Sequence, residues 1–507
     1  MQDVLSVLRE AIARHQLADH AAAEALYRTV LDAEPRHPRA LYLYGLLLLD
    51  TGRSWEAAAT LTLAADARPG DVAVLTNLLR ALLAARRPAE ALAVASTCAT
   101  GDMAFLRGTA LNAVGQPAAA ATMLEQVIAC EPANAAAALN LGNAYADLDR
   151  LAEAEAHIRR AIELAPRLAE AHASFGFVLT SRGRLDEAIA ACATAIGLHA
   201  DFAQAHWNQA VAALLAGDFE RGFQQYEWRK RHDRFRRDFV DLPGPQWDGS
   251  DPDGLTILVH AEQGLGDTIQ FARYLPMIAA RGGRPVLACE PALIPLLRGM
   301  DGAGVATKGA ALPRYDRGID QMSLPRVFAT RVDSIPSADG YLRADPARIA
   351  RWRDALPAGP RVGITWAGNP AHSNDRRRSL PDRQLRRILS VSGIVFVNLQ
   401  VGPRADASPL ADFSASLTDF AETAGLVEAV DLVVAVDTAV AHVAGAIGKP
   451  AWVLLPYAPD WRWQLGRTDS PWYASLRLFR QPSAGDWCTV AAAVAATLAD
   501  WRDARHA

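Results

Sequence analysis

The chain has 507 residues, 51% of them apolar and 21% charged, with 52 Lys and Arg against 56 Asp and Glu for a net charge of −4. At roughly 150 residues per domain this length suggests about three domains, each able to bury a core without staples. The composition excludes a disordered or collagen-like chain, and the charge balance excludes a general pull toward nucleic acid or anionic membrane while leaving room for a local basic patch.

No apolar run approaches the about 20 residues of a membrane span, and the charged, amphipathic start has no secretory apolar core, so a cytoplasmic protein without a transmembrane segment is expected. The cysteines Cys98, Cys130, Cys192, Cys289 and Cys488 are scattered and form no Cys-x-x-Cys pair. They read as reduced thiols, not as a zinc site or a disulfide framework. Of the twelve tryptophans only Trp55 precedes residue 200. Two kinds of protein are therefore expected in one chain.

The first part repeats. Pro35 and Pro69 are 34 apart, as are Pro132 and Pro166, and repeats are expected to start near 4, 38, 72, 101, 135, 169 and 203. Their eighth position holds Gly45, Gly108, Gly142 and Gly176; their twentieth holds Ala23, Ala57, Ala91, Ala120, Ala154 and Ala188. Small residues let the two helices of a hairpin approach, and proline ends the second helix. The pattern resembles the tetratricopeptide repeat and implies an α-solenoid over residues 1–222 whose groove holds a protein partner. Cys98, Cys130 and Cys192 fall in second helices and read as packing residues.

Residues 223–254 are expected to form a capping helix and linker. The run Trp228, Arg229, Lys230, Arg231, Arg234, Phe235, Arg236, Arg237 either contacts a phosphate or nucleic acid or is a solvated helix capping the solenoid, the reading adopted here. Pro243, Gly244, Pro245, Gly249, Pro252 and Gly254 mark the linker. It also contains Asp251-Pro252-Asp253, the only Asp-x-Asp in reach, away from any strand end.

Beyond residue 255, short β-branched runs alternate with helical stretches, the mark of βαβ units. Strands are expected at 255–260, 284–289, 361–366, 394–399, 432–436 and 451–455, and a helix at 267–280; the signal is weaker over 313–351. Two Rossmann-like half-domains facing a cleft, 255–345 and 346–507, are the economical α/β architecture.

Four stretches can carry chemistry. Gln263, Gly264, Gly266 and Asp267 lie at the first strand-to-helix turn, where glycines admit a ligand to the backbone and a helix start favours negative charge; Asp267 can equally be a helix cap. Asp437, Thr438 and Ala439 follow an apolar strand, with His442 about one turn on, where phosphates bind in open α/β sheets. Gly368 and Asn369 lead into Arg376, Arg377 and Arg378, which either neutralise a diphosphate or form a solvated basic loop. Trp461, Trp463, Trp472 and Tyr473, interleaved with Asp460 and Arg462, either stack on a base or sugar or pack the domain.

Residues 255–480 resemble the ADP-heptose:lipopolysaccharide heptosyltransferases, glycosyltransferase family 9, through Gly264-Leu265-Gly266-Asp267 and the Asp437-Thr438 turn with His442. The layout, repeats followed by this domain, resembles bacterial flagellin glycosyltransferases. The resemblance implies a GT-B fold, Asp267 as general base, and donor binding by Asp437, Thr438 and His442, with Arg378 as the phosphate-binding basic residue. Ala439 stands where the family has glycine, and no adenine-side motif is recognisable, so the donor nucleotide and sugar stay open. The reading is a metal-independent inverting glycosyltransferase without a cofactor. It moves a sugar from a nucleotide-activated donor to a hydroxyl of a protein acceptor held by the repeats, for instance a flagellin Ser or Thr. The alternatives are a non-catalytic repeat scaffold with a degenerate nucleotide-sugar domain, and a glycolipid glycosyltransferase.

Overall fold

A computed structural model describes residues 4–95, 101–235, 239, 242–336, 340–370, 374–401 and 410–506. It divides into two compact units, Met1–Val178 and Leu179–Ala507.

The first unit is a run of antiparallel helix pairs. The first helices Val4–Gln16, Pro38–Asp50, Val72–Ala84, Asp102–Ala113 and Ala135–Asp147 begin within one residue of the expected repeat starts. Their partners are His20–Ala33, Ser54–Ala67, Pro88–Ala95, Pro117–Cys130 and Leu151–Leu164. The small-residue positions have a steric cause. A Cβ on Gly45 would lie 2.5 Å from Leu61 Cγ, and one on Gly108 would lie 2.7 Å from Leu124 Cγ, each on the partner helix. Ala23, Ala57, Ala91, Ala120 and Ala154 are fully buried at the same crossings. Asp71 and Asn134 cap following helices by accepting backbone N–H groups. Cys130 corrects the sequence reading: it ends its helix exposed rather than packed. Cys98 lies outside the described residues.

The division between units falls inside the helix Ala169–Ser181. The second unit therefore begins with repeat helices, Leu185–Leu198, Ala203–Ala216 and Phe219–Tyr226. Cys192 is buried in the first of them. In the last pair the small residue is Gly222, where a Cβ would meet Leu214 Cδ2 at 2.5 Å.

Ten strands follow among the described residues: β1 Thr256–His260, β2 Arg284–Cys289, β3 Gly304–Thr307, β4 Arg317–Asp320, β5 Arg361–Thr365, β6 Val395–Asn398, β7 Ala411–Asp412, β8 Leu432–Val436, β9 Ala451–Leu455 and β10 Leu476–Arg480. They form two all-parallel sheets, ordered β3-β2-β1-β4 and β10-β9-β8-β5-β6-β7. The six expected strands are present to within a residue at either end. β3, β4, β7 and β10 were not foreseen, being short or interrupted by arginine and glycine, which weakens the apolar pattern.

The helix expected at 267–280 is three pieces: Leu265–Phe271, a 3-10 turn Ala272–Tyr274, and Leu275–Ala280 with Pro276 near its start. Proline cannot donate into the preceding turn, so the helix restarts there. In the second sheet, successive residues serve opposite cores. Leu432, Val434 and Val436 pack with Trp452 and Leu454 on one face, while Val433 and Ala435 join Val453 and Leu455 on the other. Among the described residues no helix is long and apolar enough to cross a membrane.

Candidate active site

Each sheet has one place where strand order reverses: between β1 and β4 in the first, between β5 and β8 in the second. Ligands in open parallel sheets bind outside the carboxyl ends at such points. The turns leaving β5 and β8 carry two of the stretches picked out from the sequence. Arg378 joins them, donating from Nη1 to the Asp437 carbonyl at 3.0 Å and from Nε to Asp375 Oδ1 at 3.2 Å. A Cβ on Gly368 would lie 2.7 Å from Arg378 Cζ, so glycine makes room for the guanidinium. Arg376 and Asn369 are exposed, while Arg378 is turned in against the β8 turn.

Thr438 is the N-cap of the helix Ala439–Ala446, yet its side chain makes no capping bond. Its Oγ1 is buried without a hydrogen-bond partner, an uncompensated cost that a ligand oxygen would remove. His442, on the same helix, is 5% exposed, its Nδ1 2.9 Å from the Tyr473 hydroxyl and its ring stacked on Trp463. Burial, reinforced by Arg462, Arg273 and Arg378 and opposed by Asp460, lowers its pKa to about 3. The imidazole is therefore neutral at pH 7. Asp437 is pushed above the usual carboxylate range by burial and by Asp460, against the pull of Arg378 and Arg462. Asp460 moves the other way despite its burial, because Arg462 pairs with it and also donates its backbone N–H.

The first-turn loop meets this helix. Asp267 Oδ2 accepts the Gly264 N–H at 2.7 Å, so Asp267 caps its own helix, Leu265–Phe271. A side chain of the protein thus takes the N-cap N–H at that helix start. Gly266 has a packing reason: a Cβ there would lie 2.7 Å from His442 Cδ2 and 3.5 Å from Ala439 Cα. Glycine at 266 lets the first-turn helix touch the helix that carries His442. Gln263 holds a left-handed φ of 64° and accepts the Tyr226 hydroxyl at 3.1 Å.

Arg462, not singled out as a site residue from the sequence, organises the centre. Its Nε donates to Gln270 Oε1 at 2.6 Å, its Nη1 to Asp460 at 2.8 Å, and its Nη2 to Asp267 Oδ1. One buried guanidinium thus ties the first half to the second. Only the Asp-x-Arg spacing inside the aromatic stretch could have signalled it.

Of two sequence readings, the structure decides between the alternatives for one and corrects the other. Trp461, Trp463 and Trp472 are at most 3% exposed, and Trp452 packs on Phe479, so these tryptophans fill the core instead of offering stacking faces. Trp461 lies edge-on to Phe219 and Phe223 of the last repeat pair. The basic run after the repeats is neither a solvated cap nor a phosphate patch at Arg229, which is fully buried on Glu262. Arg236 and Arg237 lie outside the described residues.

Residues 8–72, 105–169 and 179–227 match the family model described as Tetratricopeptide repeat, and residues 415–480 match Glycosyltransferase family 9 (heptosyltransferase). The latter span contains the β8 turn, His442 and Arg462. Protein FlbA of Caulobacter vibrioides is 28% identical over 537 aligned positions, covering 97% of this chain and 83% of that protein. Among solved structures, a tetratricopeptide repeat protein from Parabacteroides merdae covers 46% of this chain and 94% of its own at 14% identity and a TM-score of 0.40. YrrB, described as a TPR protein with an unusual peptide-binding site, covers 35% and 95% at 17% identity and a TM-score of 0.28.

Proposed function

We propose that this chain, which joins tetratricopeptide repeats to a glycosyltransferase family 9 segment, is a metal-independent, inverting glycosyltransferase of GT-B type acting on a protein hydroxyl. The observation that carries the reading is the meeting of Asp267 with the β8 turn: its loop glycine abuts His442, and its carboxylate is held by Arg462.

In the proposed reaction the acceptor hydroxyl attacks the anomeric carbon as Asp267 takes its proton. The carbon–oxygen bond to the donor phosphate breaks, and its electron pair leaves on the phosphate oxygen. Arg378, the free Thr438 hydroxyl and the start of the helix Ala439–Ala446 stabilise that oxygen, and direct displacement inverts the anomeric centre. Neutral His442 contributes a hydrogen bond to the donor without adding charge. The repeats present the acceptor, a Ser or Thr such as those of flagellin.

The test is a thermal-shift screen against UDP-, ADP-, GDP- and CMP-sugars, then intact-mass analysis of a co-expressed acceptor. Stabilisation by one nucleotide class, and transfer lost in Asp267→Asn with binding kept, is expected. No stabilisation by any class and no mass gain would overturn the reading.

A further inference from the structure

The segment that ends the repeats does more than connect. Tyr226 closes the last repeat helix, Phe219–Tyr226, and Glu227–Arg231 is a 3-10 turn. Arg229 on that turn is fully buried, and all five of its N–H groups are spent. Nε and Nη2 grip Glu262 at 2.9 and 2.6 Å, Nη2 also reaches Ser323 Oγ at 2.9 Å, and Nη1 bonds Tyr226 O and Glu227 at 3.2 and 3.0 Å. Glu262 in turn accepts the Met322 N–H at 3.0 Å. The contact sits at the reversal of strand order in the first sheet, since Glu262 follows β1 and Met322 and Ser323 follow β4. Lys230 closes the same place from outside, 2.8 Å from Asp320.

Glu262 and Gln263 are the residues immediately before Gly264, whose N–H holds the Asp267 carboxylate. Arg229 fixes one of them and Tyr226 the other. The same helix packs through Phe219, Phe223 and Tyr226 against Trp461, the neighbour of Arg462. Both groups that meet at Asp267 are therefore held by the final repeat.

We propose that Arg229 is a positioning residue for sugar transfer: through Glu262 it sets the loop that carries Asp267, which makes the last repeat part of the catalytic machinery. The proposal rests on the glycosyltransferase reading above. A buried charge stripped of its partner is costly, whereas an apolar pair of similar volume is commonly tolerated. Full-length Arg229→Met and the paired Arg229→Met/Glu262→Met are therefore compared with wild type. The paired variant should recover most of the melting temperature lost in Arg229→Met, short of wild type because the Met322 N–H loses its acceptor. Its kcat should stay at least tenfold down with the donor KM within twofold, and the amides of 262–264 should exchange at least tenfold faster with deuterium. A paired variant with wild-type kcat and wild-type amide protection would overturn the proposal while leaving the enzyme reading intact. A wild-type chain that neither binds nucleoside diphosphates nor transfers sugar removes the reading itself. Amide exchange then still decides whether Arg229 holds the loop, and unchanged protection in both variants counts against it.

Discussion

Arg462 donates to the carboxylate of Asp267 from 195 residues further along the chain. Its side chain is 7% exposed and that of Asp267 19%, so the pair is shielded from water but opens to one side. The same guanidinium holds Asp460 and Gln270. Gripped by Arg462 and by the Gly264 N–H, the Asp267 carboxylate has its orientation fixed.

Removing Arg462 should therefore affect both stability and turnover. Arg462→Ala leaves two carboxylates without their cation, and we expect it to lose about 3 kcal/mol in urea unfolding. Transfer should fall at least tenfold and recover in part when guanidinium chloride is supplied at millimolar concentration. Unchanged turnover would remove Arg462 from the site.

Gly266 is predicted to be irreplaceable for steric reasons. Gly266→Ala puts a methyl carbon 2.7 Å from His442 Cδ2, against a ring clamped by Tyr473 and Trp463. A cost of about 1–3 kcal/mol is expected, together with weakened nucleotide binding by calorimetry. Wild-type stability and affinity in this variant would show that the two helices separate freely.

The neutral state of His442 gives a signed pH dependence. Its native pKa of about 3 lies below the about 6.5 of an unfolded histidine, so the unfolded chain binds the proton first as pH falls. Above pH 6.5 the residue contributes no pH dependence; below it, stability drops by up to about 1.4 kcal/mol per pH unit. The difference between wild type and His442→Gln across pH 4–7 isolates this contribution from the nearby carboxylates. Parallel curves would mean that His442 titrates normally.

Transfer is expected to be indifferent to chelation. Activity measured in millimolar EDTA should match that in magnesium or manganese. Loss in EDTA with recovery on adding either ion would overturn the metal-independent reaction.

Much of the molecule was legible beforehand, and for local reasons. Glycine at the eighth position and alanine at the twentieth are demanded by helices crossing within a single repeat, so the spacing alone located the repeat starts. The apolar run 432–436 followed by Asp437 and Thr438 likewise announced a strand end and a helix start, which is where β8 and the helix Ala439–Ala446 lie. The stretch around Trp461 stayed ambiguous because aromatic residues look alike whether they stack on a ligand or fill a core; burial separates the two.

What the amino-acid order determined by itself was whatever depends on neighbours within a few dozen residues: repeat register, most strands, the turn after β8, and Asp267 as a helix cap. What only the tertiary structure decided were the pairings of distant charges. Arg229 in a run of basic residues and Arg462 among tryptophans carry no periodic signal, because the partner that makes each worth burying, Glu262 or Asp267, is brought near only when the chain closes. A buried arginine is unaffordable without that partner, so its role is set by the fold and not by its sequence neighbours.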